Sequence, residues 1–376
     1  MDKKLNLAII GCGMRSRAVI TLFLEELKEQ LNIQAVYDPC PESVALSGKC
    51  WKMPGLKSSE SLEAAVRNPA VDTVMIFSPN AYHSQAILAA LAAGKKVFSE
   101  KPLATTLEDC KKIVAAEKRY GIPIMTGFVL RYSPFYRKIK ELLESGSFGR
   151  IINIAASENR ECYGGGHSMC ADYGWRRFRE KSGPYLLEKC SHDLDLLNWF
   201  ADSVPLRAAA FCGLNYFIPA NQYIWEKYDK ANFDRLVLPG HVIDPFLSEK
   251  DIYDNHSVIL EYPNGIKMSF QLTLANAIPE RRMYISCTEG TIIAECFTGT
   301  IRYKHYDDPC AVTLNFPGGG HGGGDEVMVQ ELSLALLTGK SVSASGSSNG
   351  LDCARVALAA DEAARTGRIV DLSDFI

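Results

Sequence analysis

The stretch LNLAIIGCGMRSRAVITLF, residues 5–23, decides the fold. A short, mostly apolar, β-prone run meets Gly11-Cys12-Gly13, and a helical pattern follows. Gly11 permits the tight turn. Gly13 lets the backbone approach a pyrophosphate seated on the positive end of the helix. Cys12, Met14 and Arg15 complete the turn that would face it. A dinucleotide fingerprint carries a third glycine at position 16, where this chain has Ser16. That glycine mainly allows close packing of helix on strand, so a small serine is expected to cost packing slack and leave the phosphate site intact. Asp38 ends the next strand, 25 residues after Gly13, where a carboxylate would take the ribose hydroxyls. Pro39, Cys40 and Pro41 follow, with no arginine to offset a 2′-phosphate. The expected cofactor is NAD, in preference to NADP.

Outward from this start, NIQAVYD (32–38), DTVMIFS (72–78), KKVFSE (95–100) and IPIMTGF (122–128) are four more strands. Helical patterns over 42–49, 60–67, 81–93 and 106–120 separate them, and Gly94 and Gly121 stand where helix C-caps belong. Near-continuous apolar strands alternating with helices predict an α/β domain, a doubly wound parallel sheet covered on both faces. Its expected extent is residues 1–130.

Residues 131–376 have a different pattern. An amphipathic helix over 133–146 precedes the strand RIINIAASENR, and a helix is predicted over 184–200. Strands then follow one another: LRAAAFCGL, NHSVILEY, IKMSFQLTLA, RRMYISCT, GTIIAEC and TIRYKH. Tyr262-Pro-Asn-Gly265 is a hairpin turn between two of them. Such a run predicts an antiparallel sheet in a second α/β domain. Residues 216–250 are aromatic-rich and take no assignment. Helices at 325–338 and 349–366 belong either to the second domain or packed back on the first.

The totals narrow the function classes. At 376 residues the chain suggests two domains. A net charge of −3, from 41 basic and 44 acidic residues, is no footprint for nucleic acid and no membrane-binding patch. No apolar run approaches the ~20 residues of a membrane span. MDKK leads straight into a strand without a leader pattern, so the expected location is the cytoplasm. The twelve cysteines include no C-x-x-C pair, and the seven histidines lack H-x-x-x-H spacing, so no metal site is expected. Buried reduced thiols are the simpler account of the cysteines.

Two further elements carry chemistry. The fourth strand ends in Glu100-Lys101-Pro102, and ligands of open α/β sheets bind outside the carboxyl ends of the strands. Lys101 there could hold a substrate hydroxyl; alone, a solvated strand-end lysine is the commoner case. In GPYLLEKCSHDLDLLNWF, Glu188, His192, Asp195 and Trp199 fall at i, i+4, i+7 and i+11 of one helix face, on a helix otherwise rich in leucine. Buried charge is costly unless paired or used. A structural Glu–His pair is the plain alternative.

Taken in order, the G-x-G start, SPNAYHSQ after the third strand, EKP after the fourth and E-x-x-x-H-x-x-D on a later helix resemble the Gfo/Idh/MocA family, over most of the chain. The resemblance implies an N-terminal Rossmann domain and a C-terminal α/β domain with a large open antiparallel sheet, which in this family often serves as an oligomer interface; a homodimer or homotetramer is expected. It implies an NAD(P)-dependent oxidoreductase acting on a CH–OH group of a sugar or polyol, with Lys101 and His192 as the catalytic pair. Where the family usually has Asp four residues before the histidine, this chain has Glu188. By the same carry-over Asp195 binds a substrate hydroxyl, Ser78, Pro79, Asn80 and His83 form the loop beside the cofactor, and Trp175-Arg176 lies near nicotinamide and substrate. Glu100 shares the EKP turn. A histidine side chain ordinarily changes charge near neutrality, so that residue type at 192 suits the base, Glu188 would stabilise its charged form, and Lys101 would stabilise an alkoxide.

FPGGGHGGGDEVMVQEL (316–332) sets His321 between two glycine triplets. A flexible loop with Asp325 as N-cap is one account, and a substrate-contacting His321 the other. A similar run occurs in a carbohydrate-acting branch of the family, as does a segment like His167-Ser168. Two alternatives to a dehydrogenase stay open: an NAD-assisted glycosidase that oxidises, eliminates and reduces back, and a non-enzymatic sensor of sugar or dinucleotide.

Overall fold

The computed structural model describes residues 4–163, 172–227, 243–339 and 344–375. The chain divides into two compact units, Met1–Tyr132 with Gly324–Leu351, and Ser133–Gly323 with Asp352–Ile376. The sequence pattern left the helices from residue 325 onward open between the two domains; the segment Gly324–Leu351 groups with the first.

In the first unit β1 (Leu5–Ile10), β2 (Leu31–Tyr37), β3 (Thr73–Ile76), β4 (Lys96–Ser99) and β5 (Ile124–Thr126) form a parallel sheet in the order β2-β1-β3-β4-β5. β3, β4 and β5 are almost entirely buried, which accounts for their near-continuous apolar runs. The chain steps from β1 to one side and then crosses to β3 on the other. That reversal leaves a crevice beyond the carboxyl ends of β1 and β3. Helices α1 (Met14–Leu27), α2 (Pro41–Cys50), α3 (Leu62–Arg67), α4 (His83–Ala92) and α5 (Leu107–Tyr120) alternate with the strands. Their ends follow local chemistry: Ser61 caps α3, Thr106 caps α5 by accepting from the Asp109 N–H at 3.1 Å, and Gly121 closes α5 in the left-handed conformation.

The second unit holds a nine-stranded sheet: β6 (Ile151–Glu161), β7 (Arg207–Gly213), β8 (Asn255–Glu261), β9 (Lys267–Asn276), β10 (Glu280–Cys287), β11 (Gly290–Glu295), β12 (Thr300–His305), β13 (Val312–Asn315) and β14 (Val370–Asp371). Their order is β13-β12-β11-β10-β6-β9-β8-β7-β14. The expected antiparallel sheet is corrected in one respect, since β6 and β9 pair in parallel and the sheet is mixed. Alternation is regular, with Val258, Leu260, Met268, Phe270, Leu272, Met283 and Ile285 turned inward. The other face leaves Phe211 79%, Ile259 60% and Ile152 51% exposed.

Against the covered side lie α6 (Pro134–Glu144), two single turns α7 (Arg179–Ser182) and α8 (Tyr185–Glu188), and α9 (Ser191–Ala201). A short α10 (Tyr223–Lys227) falls in the unassigned aromatic stretch, where Tyr216, Phe217 and Phe246 pack ring on ring. Two late helices are α11 (Gly324–Thr338) and α12 (Ser347–Thr366). α11 packs on α1 within the first unit.

The predicted helix over 184–200 is two pieces. It breaks at Lys189 and Cys190, where the Lys189 ammonium turns to the buried Glu158 carboxylate at 3.1 Å and the Cys190 carbonyl starts α9 by accepting from Asp193 and Leu194. Glu188 and His192 therefore do not share a continuous helical face. His192, Asp195 and Trp199 do, on α9.

Candidate active-site residues in the two units

In the first unit the candidates gather at strand ends. Gly11 has φ +93, and a Cβ there would sit 2.6 Å from the Phe77 carbonyl carbon and the Ser78 nitrogen. The loops after β1 and β3 touch at this glycine. Gly13 is the N-cap of the 14-residue α1, without a side-chain capping bond and without an acid in the first turn. Those unspent backbone N–H groups fit a pyrophosphate. Ser16 is fully buried, and its hydroxyl donates to the Gly13 carbonyl at 2.9 Å. The residue replacing the third glycine thus ties down the turn. Cys12 is buried, and burial first, then Asp38, pushes its thiol up to about 12. It contributes backbone, not reactivity.

Asp38 follows β2, and its two oxygens accept from the backbone N–H of Cys12 and Cys40 at 2.7 and 2.8 Å. A carboxylate has about four acceptor positions, so two remain for ribose hydroxyls. Ser78 has a buried hydroxyl with no hydrogen-bond partner among the described residues, as has Nη2 of Arg15. An unspent polar atom beside the G-x-G turn fits a polar ligand there. Asn80 is buried in the turn that follows. His83, 1% exposed, bridges two loops: Nδ1 lies 2.8 Å from the Pro102 carbonyl and Nε2 2.9 Å from the Ser78 carbonyl. Burial lowers its pKa, while the two carbonyls and Glu100 oppose. It acts as a strut between the loops after β3 and β4.

Arg15 and Glu100, both assigned to the cofactor from sequence, are bound to each other at 2.6 Å. Arg15 also holds Asp325, the second residue of α11, at 2.6 Å. Burial disfavours the guanidinium charge, but Glu100 and Asp325 outweigh it and hold its pKa up. Asp325 is not an N-cap, because α11 begins at Gly324. Glu100 further accepts from the Lys101 N–H at 3.2 Å, so this network braces the backbone of the EKP turn.

In the second unit, His192 (4% exposed) and Asp195 (2%) lie on α9. The His321 ring is 5.5 Å from that of His192, centroid to centroid. Glu188, 4% exposed, accepts from Arg176 Nε at 3.0 Å, and the Arg176 guanidinium stacks 4.3 Å over Trp175. The W-R element is therefore joined to Glu188. Trp199 serves packing: its carbonyl accepts from Lys140 at 2.8 Å and its ring stacks on Phe200. His167 lies outside the described residues.

A cluster missed by motif reading sits beside these groups. Arg281 on β10 pairs with both oxygens of Asp193, at 2.9 and 2.7 Å, and lies 3.9 Å from Glu158. Arg281 and Glu158 are cross-strand partners in the β10–β6 register. Burial pushes Asp193 up to about 6; Arg281 opposes and Glu158 adds. For Glu158 burial acts the same way, but Arg281 and Lys189 outweigh it and hold it below the usual carboxylate range. The available signal was phase: both fall on inward positions of strands that otherwise turn apolar residues inward.

Residues 5–128 match the oxidoreductase family with an NAD-binding Rossmann fold, and residues 136–293 match the GFO/IDH/MocA C-terminal domain. The chain belongs to the Gfo/Idh/MocA family. Among similar Gfo/Idh/MocA proteins, YteT of Bacillus subtilis (strain 168), named as an oxidoreductase, is 25% identical over 385 residues, covering 87% of this chain and 88% of its own. The 2,7-anhydro-N-acetylneuraminate hydratase of Escherichia coli (strain K12) is 28% identical over 289 residues, 77% of this chain and 67% of that one. A solved levoglucosan dehydrogenase, in complex with NADH and levoglucosan, has the same fold, with a TM-score of 0.80 at 20% identity over 98% of this chain and 100% of that one. The Gfo/Idh/MocA chain described here is thus an oxidoreductase with an NAD-binding Rossmann unit. No described helix is long and apolar enough to cross a membrane.

Proposed function

We propose that this protein oxidises a secondary alcohol of a sugar or polyol with NAD, or reduces the corresponding ketone, with Lys101 and His192 as the catalytic pair. The observation that carries the reading is His192: an imidazole 4% exposed in the first turn of α9, with a second imidazole, His321, 5.5 Å away. A buried imidazole in a leucine-rich helix is costly unless paired or used. NAD, when bound, accepts or returns the hydride. The turn formed by Gly11, Cys12, Gly13 and Met14 would hold its pyrophosphate, Asp38 a ribose, and Ser78, Pro79 and Asn80 its nicotinamide end. His192 takes the hydroxyl proton, and Lys101 stabilises the charge left on oxygen. Asp195 accepts from a substrate hydroxyl, and Glu188, ion-paired with Arg176, holds the Trp175-Arg176 element. The names of the hydratase and of the levoglucosan dehydrogenase support a carbohydrate substrate.

The test is absorbance of NADH with purified protein against a panel of free sugars, inositols and aryl glycosides, with NAD and NADP compared. NADH formation on a free polyol, faster with NAD, is expected. A second reading is favoured by the relative named as a hydratase, since hydration involves no net oxidation. In that reading NAD is recycled and a glycosidic bond is cleaved by elimination. It predicts release of the aryl group, no net NADH, and nucleotide retained through purification, detected by mass spectrometry of the denatured protein. Neither signal, from a protein that still binds NAD, would overturn both readings. The bare sheet face carrying Phe211, Ile259 and Ile152 supports self-association as a homodimer or homotetramer. Light scattering on wild type and on Phe211→Lys/Ile259→Lys checks this; an unchanged mass would dismiss the face as the interface.

A further inference from the structure

We infer that Arg281 is a positioning residue for the two histidines of the second unit, holding with one guanidinium the start of the His192 helix and the glycine loop that carries His321. The inference rests on His192 acting in proton transfer, as proposed above.

Arg281 occupies an inward position of β10 and is 2% exposed. Nε and Nη2 donate to the two carboxylate oxygens of Asp193, the residue after His192. Nη1 donates to the carbonyl of Gly320, the residue before His321, at 2.8 Å. A single planar group is therefore anchored one residue away from each imidazole. The rings it flanks stand 5.5 Å apart at 57°. Lysine could not reproduce this arrangement, because only the guanidinium presents donors in a fixed planar fork.

The loop makes the need plain. Six glycines flank His321, and free glycine backbone carries the largest conformational entropy of any residue. A histidine on such a loop would be poorly aimed. Three of its carbonyls are instead secured: Gly319 by the Cys296 thiol at 3.3 Å, Gly320 by Arg281, and Gly322 by the Ser133 hydroxyl at 2.7 Å. The loop expected from composition to be flexible is tied from β10, from the residue after β11 and from the residue before α6. A purely structural ion pair would explain the two bonds to Asp193 but not the third to the loop. Buried pairs as such also add little over well-packed apolar side chains.

Two variants test this. Arg281→Lys keeps the charge and removes the fork. Arg281→Met combined with Asp193→Leu removes both partners of the fork together, and Glu158, opposite position 281, keeps Lys189 and Arg160 as its cations. The first readout needs neither substrate nor cofactor: the ring-to-ring nuclear Overhauser cross peak between His192 and His321 in histidine-labelled protein. It is expected in wild type and lost in both variants, with circular dichroism and melting showing a folded chain. The second readout is steady-state kinetics, in which kcat should fall about 10- to 100-fold with KM nearly unchanged, as for a misplaced catalytic group. A cross peak that persists in either folded variant, or a lost cross peak with unchanged kcat, overturns the inference. Should both variants fail to fold, Asp193→Asn, of the same shape, weakens the same clamp and must weaken the cross peak. The two proposals fail separately: full turnover by His192→Asn would defeat His192 as the base and leave the cross-peak result standing.

Discussion

The two units each bury an ionic network, and they do so in opposite ways. In the parallel unit Arg15, Glu100 and Asp325 lie at an element's end or in its first turn: the start of α1, the end of β4 and the start of α11. Its central strands carry polar residues only at their first or last positions, Thr73, Lys96, Ser99 and Thr126, so chemistry is confined to their ends. In the mixed sheet Arg281 and Glu158 stand inside strands, on inward positions, and join Asp193 in the first turn of α9. A strand covered on both faces has no place for a charge, whereas a strand covered on one face can spend an inward position on one, if a partner waits across the ladder. The difference teaches where to look: at termini in the first architecture and at breaks of alternation in the second.

The largest effect expected of any substitution is on turnover in the second unit. His192→Asn should lower kcat by about 100- to 10,000-fold, the usual contribution of a positioned base, measured by NADH formation on the best substrate of the panel. A loss below about tenfold would leave the chemistry to the strand-end residues alone. Next comes the parallel unit's closest approach. Gly11→Ala meets the Phe77–Ser78 backbone and a positive φ, and should cost about 3 kcal/mol in urea melts, with NAD binding weakened in parallel. Unchanged stability would mean that the two loops part freely.

Acid separates the sheets more gently. His256 on β8 is buried, and burial sets its pKa at about 4 against 6.5 in the unfolded chain. As pH falls the unfolded chain takes up the proton first, so stability is whole above pH 6.5 and is lost between 6.5 and 4. The loss should reach about 2 kcal/mol by pH 5. Melts of wild type and His256→Phe at pH 7.5 and 5 check this; parallel slopes would assign the acid sensitivity elsewhere. Smallest is a local feature of the parallel unit: Thr106→Ala, which deletes the cap of α5, should cost about 1 kcal/mol with no change in KM.

Legibility followed the same division. The first five strands, their helices and the cap at Gly121 follow from local patterns that tertiary packing had no reason to override. Ser16 was visible as a departure from the glycine fingerprint, but its bond to Gly13 needed the folded turn. Arg15 and Glu100 were visible as residues of the G-x-G and EKP elements; that they bind each other depends on bringing together positions 85 apart. Glu188 and His192 misled by their spacing, because Lys189 is drawn to Glu158, and that pull comes from a strand some thirty residues upstream. Asp193 was hidden among better candidates. Arg281 was hidden because a charged residue in a β pattern is ordinarily assigned to the solvent face, although its phase with Met283 and Ile285 puts it inward.

The order of the nine strands has a consequence for crowding. An open sheet ends in two rows of unpaired backbone groups, each a template on which a further strand could grow. Here those rows belong to β13, of 4 residues, and β14, of 2. Such stubs offer a stray strand little ladder to extend. A sheet built this way resists lengthening into a fibre.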